Sequence, residues 1–289
     1  MIKNRSRSFK KENYHSFWIK GKTYRYVYDA TKPIADLKYP EFYDIKINNY
    51  CEGNCSYCYQ NSGEEDEGYN NSFEKIKSIF IKMTENEKPY QIAIGGGNPN
   101  QHKDFIEIIK WLDENNICPN YTTNGIGLTE EILEASEKYC GGVAITCHPH
   151  LESIWKDAIE KFKDKKIILN LHLVISDKES IDYFIDTYKK YNKVVSYFVL
   201  LPYISNVGRA DKKEIDYKYL ENKLKEIEKI KQIAFGAHFY EWLKIVDLDV
   251  LLYEPEIMSK FIDLKDMMIY KSSFEKNPIC SVEDYFKDE

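Results

Sequence analysis

From Phe42 onward the chain alternates six times between a short strand-like run and a segment of helical periodicity, a rhythm that few folds accept. The strand-like runs are "FYDIKI", "QIAIGGG", "ICPNYTTNG", "GVAITCH", "KIILNLHLVIS" and "VVSYFVLLPY". Helical stretches follow each, among them "SFEKIKSIFIKMT" with Ser72 placed as N-cap and "TEEILEASEKY" with Thr129 in the same role. Strand–helix units in succession build a parallel sheet with helices packed outside it. Right-handed crossovers curl that sheet toward a barrel. The expected fold class is α/β, a partial (βα)6 barrel over residues 42–231. Before it, residues 1–41 form an extension in which "SFWIKGKTYRYVYDA" reads as a β-hairpin turning at Gly21 and Lys22. After it, residues 232–289 form a small α+β cap. There "FIDLKDMMIYKSSF" has the pattern of a hairpin, and "AFGAHFYEWL" supplies a short strand that brings His238 and Tyr240 toward the barrel mouth.

In parallel α/β folds chemistry gathers at the carboxyl ends of the strands. The loop after the first strand, "NNYCEGNCSYCYQNS", holds Cys51, Cys55 and Cys58 in a C-x3-C-x2-C pattern. A structural zinc site closes with four protein ligands, and no second C-x2-C exists here to supply them. Low-potential iron–sulfur clusters are commonly held by four cysteines, so three from one loop leave one iron of a [4Fe–4S] cluster open. A disulfide framework fits poorly with a long chain and an odd count of seven cysteines. Three unrelated free thiols remain the bland alternative.

The other bounds are set by composition. At 289 residues and 43% hydrophobic content, one large domain with a packed core is expected. No apolar run approaches the roughly 20 residues of a membrane span, and reduced cysteines point to a cytoplasmic setting. The net charge of −6, with both signs interspersed, argues against a phosphate-gripping nucleic-acid binder. The basic cluster "KNRSRSFKK" reads as a solvated tail. "GEEDEG", Gly63 to Gly68, reads as a solvated acidic loop that, near an active-site mouth, repels phosphates and favours cationic substrates.

Over roughly Phe42 to Ile230 the chain resembles the radical S-adenosylmethionine (SAM) enzymes. The resemblance rests on C-x3-C-x2-C with the aromatic Tyr57 before its last cysteine, on "GGGNP" after the second strand, and on "GRA" after the sixth. "GRA" is similar to members that modify peptides and to those that build molybdopterin. What the resemblance implies is one [4Fe–4S] cluster on Cys51, Cys55 and Cys58, with SAM chelating the open iron. Reductive cleavage would give a 5′-deoxyadenosyl radical that removes a hydrogen atom from substrate. Gly95, Gly96 and Gly97 would meet the methionine amino group, and Asn98 stands where the family usually has Glu. Thr123 and Asn124 are expected at the sugar or substrate. Asn170 and His172, which share a strand face, are expected at the ribose and carboxylate. Arg209 is expected at a carboxylate of SAM or substrate. Cys147 is either a hydrogen-atom donor, as in peptide epimerases of this superfamily, or a packed thiol; Cys118 and Cys140 read as structural. Only Cys280 lies beyond Cys147, with Ser272 and Ser273 where auxiliary-cluster cysteines would stand, so a single cluster is expected. The partners implied are a peptide substrate and an electron donor such as flavodoxin or ferredoxin. The alternatives are a nucleoside, nucleotide or tRNA substrate, or a non-catalytic iron–sulfur or zinc protein.

Overall fold

A computed structural model of the chain describes residues 3–19, 21–69, 71–249 and 258–287, without the side chains of 67–69. Six strands carry the expected rhythm: β4 (Phe42–Asn48), β5 (Gln91–Gly96), β6 (Cys118–Thr123), β7 (Gly142–Thr146), β8 (Ile168–Ile175) and β9 (Tyr197–Pro202). Each pairs in parallel with the next. The helices between and after them are α1 (Phe73–Asn86), α2 (Phe105–Glu114), α3 (Glu130–Tyr139), α4 (Glu152–Phe162), α5 (Lys178–Tyr191) and α6 (Tyr217–Lys225). Their starts follow from the local chemistry. The Ser72 side chain accepts from Lys75 N–H and that of Thr129 from Ile132 N–H, satisfying first-turn amides that the helix itself leaves orphaned.

Strand periodicity decides the layers. Tyr43, Ile45 and Ile47 of β4, Val143 and Ile145 of β7, and Leu169, Leu171 and Leu173 of β8 are buried in one core with Phe80, Ile109, Trp155 and Phe184 of the helices. The intervening residues therefore face the inside of the curled sheet. On β4, β5, β6 and β8 that interior wall is largely polar or small: Asp44, Lys46 and Asn48 on β4, Ala93 and Gly95 on β5, Thr122 on β6, Asn170 and His172 on β8.

The sheet does not end with the sixth strand. β10 (Ile233–Phe235) adds in parallel to β9, and β11 (Ser259–Asp263) adds in parallel to the other edge, at β4. β12 (Met268–Tyr270) and β13 (Cys280–Ser281) continue antiparallel, giving a sheet of ten strands among the described residues. The hairpin read in "FIDLKDMMIYKSSF" is β11–β12, and it lies in the barrel sheet itself.

At the N-terminus β1 (Arg5–Phe9), β2 (Tyr14–Ile19) and β3 (Lys22–Tyr26) form an antiparallel sheet. The expected hairpin is β2–β3, with Gly21 at φ +78° in its turn. The basic segment corrects an expectation, because it is a strand and no solvated tail. Arg7 is buried, bonds the Tyr39 carbonyl and the Glu87 carboxylate, and lies 5.1 Å over the Phe9 ring. The Arg5 guanidinium donates to the carbonyls of Lys88 and Pro89 and lies 5.2 Å over Tyr90, which leads into β5. Alternating arginines satisfy carbonyls that the strand itself cannot reach. Arg7→Ala is expected to cost about 1–3 kcal/mol, since it strands the half-buried Tyr39 carbonyl and removes the ring contact. A thermal or urea melt unchanged from wild type would show that the segment is dispensable.

Candidate active site at the carboxyl ends of the strands

The loop after β4 is held by its backbone. Cys51 N–H donates to the Gly63 carbonyl, and Gly63 N–H to that of Asn49, each at 3.2 Å. Asn54 and Asn61 turn it through the left-handed region, at φ 46° and 52°, which Asn tolerates better than most residues. All three thiols are free. Gly53 N–H lies 3.3 Å from Cys51 Sγ, Ser62 N–H 3.4 Å from Cys58 Sγ, and the Asn124 amide 3.4 Å from Cys51 Sγ. Burial, reinforced by the neighbouring thiols, pushes Cys55 up to about 12, and burial raises Cys51 as well. Such groups lose their protons to a metal, not to solvent.

Two segments grip this loop closely. A Cβ on Gly96 would stand 2.2 Å from the Asn48 carbonyl oxygen, and one on Gly97 2.0 Å from that of Tyr50, so only glycine fits. The contact lets Gly97 N–H reach the Asn48 carbonyl and Asn98 N–H that of Tyr50. Gly95 has nothing within 4 Å of its Cβ position and leaves the interior wall open. From the other side, after β9, Gly208 sits at φ +58° with its Cβ position 2.3 Å from the Cys58 carbonyl. Arg209 N–H donates to that carbonyl, while its guanidinium donates to those of Cys55 and Ser62.

Several expected ligands are thereby found in contacts within the protein. Arg209 directs two guanidinium nitrogens and its N–H to the cysteine loop and so positions it. Asn98 is fully buried: Nδ2 donates to the Ile126 carbonyl, and Oδ1 accepts from Thr123 Oγ1 and Asn124 N–H. An amide can donate and accept at once, as the family's usual Glu cannot, and this one ties the β5 end to the β6 end. Thr123 lies inside the same knot, also against Asn100. Cys147 shares the parity of Val143 and Ile145, and packs in the core beneath the helices with its thiol raised by burial. A thiol on that face is turned away from the barrel interior.

Other expected residues do lie at the interior or rim. Asn170 Oδ1 is buried with no hydrogen-bond partner, an acceptor left open on the interior face. His172, two residues on, is pushed down to about 4 by burial and stays neutral. The Tyr57 hydroxyl is 2.8 Å from His148 Nδ1, and His150 Nε2 is 3.0 Å from the Gly53 carbonyl and 3.6 Å from Cys55 Sγ. These two histidines were not singled out from the sequence, although "HPH" at a strand end was the available signal. His238 is exposed and meets the edge of Phe274 at 4.7 Å; Tyr240 is half-buried. The acidic segment follows directly, with Glu64 and Glu65 exposed and Asp66 buried against Asn49.

A barrel of this kind, with a three-cysteine loop clamped by glycine-rich segments, defines the iron–sulfur enzymes that act through SAM. The Radical SAM superfamily profile matches residues 45–191, just over half of the chain, and the chain belongs to that superfamily. Its cofactors are a [4Fe–4S] cluster and SAM. The residues present suit them chemically: three free thiols lie on one loop, and N–H groups stand 3.3 Å and 3.4 Å from two of the sulfurs. Among the described residues no three His, Cys, Asp or Glu side chains are already drawn into a metal-coordinating group. The chain is 29% identical over 82 residues to the mycofactocin maturase MftC of Mycobacterium tuberculosis, 28% of this chain and 20% of that protein. It is 27% identical over 111 residues to the GTP 3′,8-cyclase of Pasteurella multocida, 36% of this chain and 33% of that one. The matches thus span no more than a third of these relatives' length. In fold it is similar to Streptococcus suis SuiB bound to its precursor peptide SuiA, with TM-score 0.67, 16% identity, 88% of this chain and 66% of that one. It is likewise similar to anSMEcpe bound to AdoMet and a peptide, with TM-score 0.62, 14% identity, 85% of this chain and 78% of that one.

A cavity of about 750 Å³ bounded by Ile168, Tyr197 and Gln232 lies at the amino ends of β8 and β9, the opposite end from the cysteines.

Gly208→Ala is expected to force "GRA" off the loop, lowering both melting temperature and the iron retained after reconstitution. Unchanged iron content would show that the clamp is not needed. A second expectation concerns Asp44, whose carboxyl is raised by burial to about 7. Near pH 4 both the folded and the unfolded chain hold this proton, so burial is free. As pH rises toward 7 the unfolded chain releases it first, and above 7 the cost is complete. Asp44→Asn should therefore stabilise the protein by about 2–4 kcal/mol at pH 8 and hardly at all near pH 4. Equal gains at both pH values in denaturant titrations would refute the raised carboxyl.

Proposed function

We propose that the chain is a radical SAM enzyme acting on a peptide, with one [4Fe–4S] cluster on Cys51, Cys55 and Cys58. Bound together, cluster and SAM supply the radical that removes a hydrogen atom from the substrate. The carrying observation is the loop itself, whose backbone is gripped by Gly96, Gly97, Gly208 and Arg209 while its three thiols stay free. In this reading the Asn124 amide and the Gly53 and Ser62 N–H groups stabilise the sulfurs as thiolates. Asn170 and His172 offer an open acceptor and a neutral imidazole to the nucleoside part of SAM, and Tyr57 stands at the rim against His148 and His150. A flavodoxin- or ferredoxin-type protein supplies the electron.

A peptide substrate is supported by the likeness of fold to two enzymes described with bound peptides. The exposed acids Glu64 and Glu65 beside the loop add to this, because they disfavour phosphates. The nucleotide reading has the partial match to GTP 3′,8-cyclase in its favour. Epimerisation with Cys147 as hydrogen donor is not retained, since that thiol faces the helices. Anaerobic reconstitution is expected to load about four irons per chain and none in the triple Cys→Ala variant. Reduced wild type should release 5′-deoxyadenosine from SAM. A variant that keeps its cluster, or a loaded wild type that leaves SAM intact, would overturn the reading.

A further inference from the structure

Asp44 is a charged residue for which the fold provides no partner. Tyr43 and Ile45, beside it on β4, are buried under the helices, so the two-residue period turns Asp44 into the barrel interior. It stands level with Ala93 of β5 on one side and Phe261 of β11 on the other. Among the described residues it makes no hydrogen bond or ion pair, and burial alone sets its carboxyl. The nearest cation on its own strand, Lys46, is committed to Asp263 at 3.2 Å. Asp44 lies about 13 Å below the strand end at Asn48, four residues at roughly 3.3 Å each.

The surroundings are aromatic. Phe261 and Tyr270 have ring centroids 6.0 Å apart. Tyr59, just past the last cysteine, has its hydroxyl 3.4 Å from Ser273 Oγ. Its ring lies 4.7 Å from Phe274, which also meets His238. Phe274 thus bridges from the cysteine loop to the segment after β10, across the open side of the curled sheet. A carboxylate walled by aromatic faces attracts an ammonium or guanidinium and rejects an anion.

We propose that Asp44 anchors a cationic side chain of the substrate, an ammonium or guanidinium, in a subsite walled by Phe261 and Tyr270. The proposal rests on the reading that substrate enters the barrel of a radical SAM enzyme, and it names that substrate's chemistry. The exposed Glu64 and Glu65 beside the loop attract the same charge. Without a cation, burial holds the carboxyl near 7; with one it returns toward the ordinary carboxylate range. The other titratable or charged groups facing it are Lys46 on its own strand, Asp263 of β11, Tyr270 of β12 and Tyr59; β5 contributes none.

The test follows the carbon-13 carboxylate signals of the full chain labelled at aspartate. One signal should titrate near pH 7 and be missing from Asp44→Asn. Millimolar N-acetyl-arginine amide should lower its midpoint by about one pH unit, whereas the neutral isostere N-acetyl-citrulline amide should leave it in place. Equal responses to the two amides, or a midpoint in the ordinary range without either, would overturn the subsite using wild type alone. Release of 5′-deoxyadenosine by reduced, reconstituted wild type is measured in parallel. Its absence refutes the enzymatic reading; its presence with no selective response to arginine refutes only the role of Asp44.

Discussion

The close approach of three glycines to the backbone of the cysteine loop is the contact on which the site depends. Gly96, Gly97 and Gly208 each stand where a single added carbon would collide with a carbonyl at 2.0–2.3 Å. Backbone packed on backbone fixes the loop without spending a side chain on it. Cys51, Cys55 and Cys58 are then left on that loop with their sulfurs unengaged by any covalent bond. Arg209 completes the grip, because its planar fork satisfies two loop carbonyls that no strand reaches.

The polar residues divide between those that hold the fold and those left available. Asn98, Asn100 and Thr123 close a buried network between the ends of β5 and β6, and such a network stiffens the rim when every member is satisfied. Lys46 and Asp263 pair across β4 and β11, fixing the added strand to the barrel. Asn170, His172 and Asp44 have no comparable partner, and all three face inward. Half-buried polar groups left unmatched inside the barrel are available to a ligand.

The added strands change the meaning of the C-terminal segment. β10 and β11 extend the two edges of the same sheet, so "AFGAHFYEWL" and "FIDLKDMMIYKSSF" form part of the wall around the interior. Phe261 and Tyr270 reach the level of Asp44 only because β11 pairs in parallel with β4 and β12 pairs with β11. The N-terminal sheet is stitched on differently, through Arg5 and Arg7 to carbonyls and rings around Tyr90.

The sequence by itself determined the strand–helix rhythm, the caps at Ser72 and Thr129, the cysteine loop and its place after the first barrel strand. Each of these is local: periodicity, a capping hydroxyl and a ligand spacing are all read within a dozen residues. The family was legible for the same reason, as its motifs are short and sit at strand ends. What only the tertiary structure decided were partners and faces. Asn98 and Arg209 have the right chemistry for a cofactor, yet their donors meet carbonyls distant in sequence first. Cys147 was placed on the right rim, but strand parity relative to the core turned it toward the helices. Arg5 and Arg7 looked like a solvated tail because nothing near them in sequence shows the carbonyls and rings they cover. Asp44, hidden in "FYDIKI", drew no notice, since a carboxylate becomes conspicuous only when three-dimensional packing turns it inward and leaves it without a counter-ion.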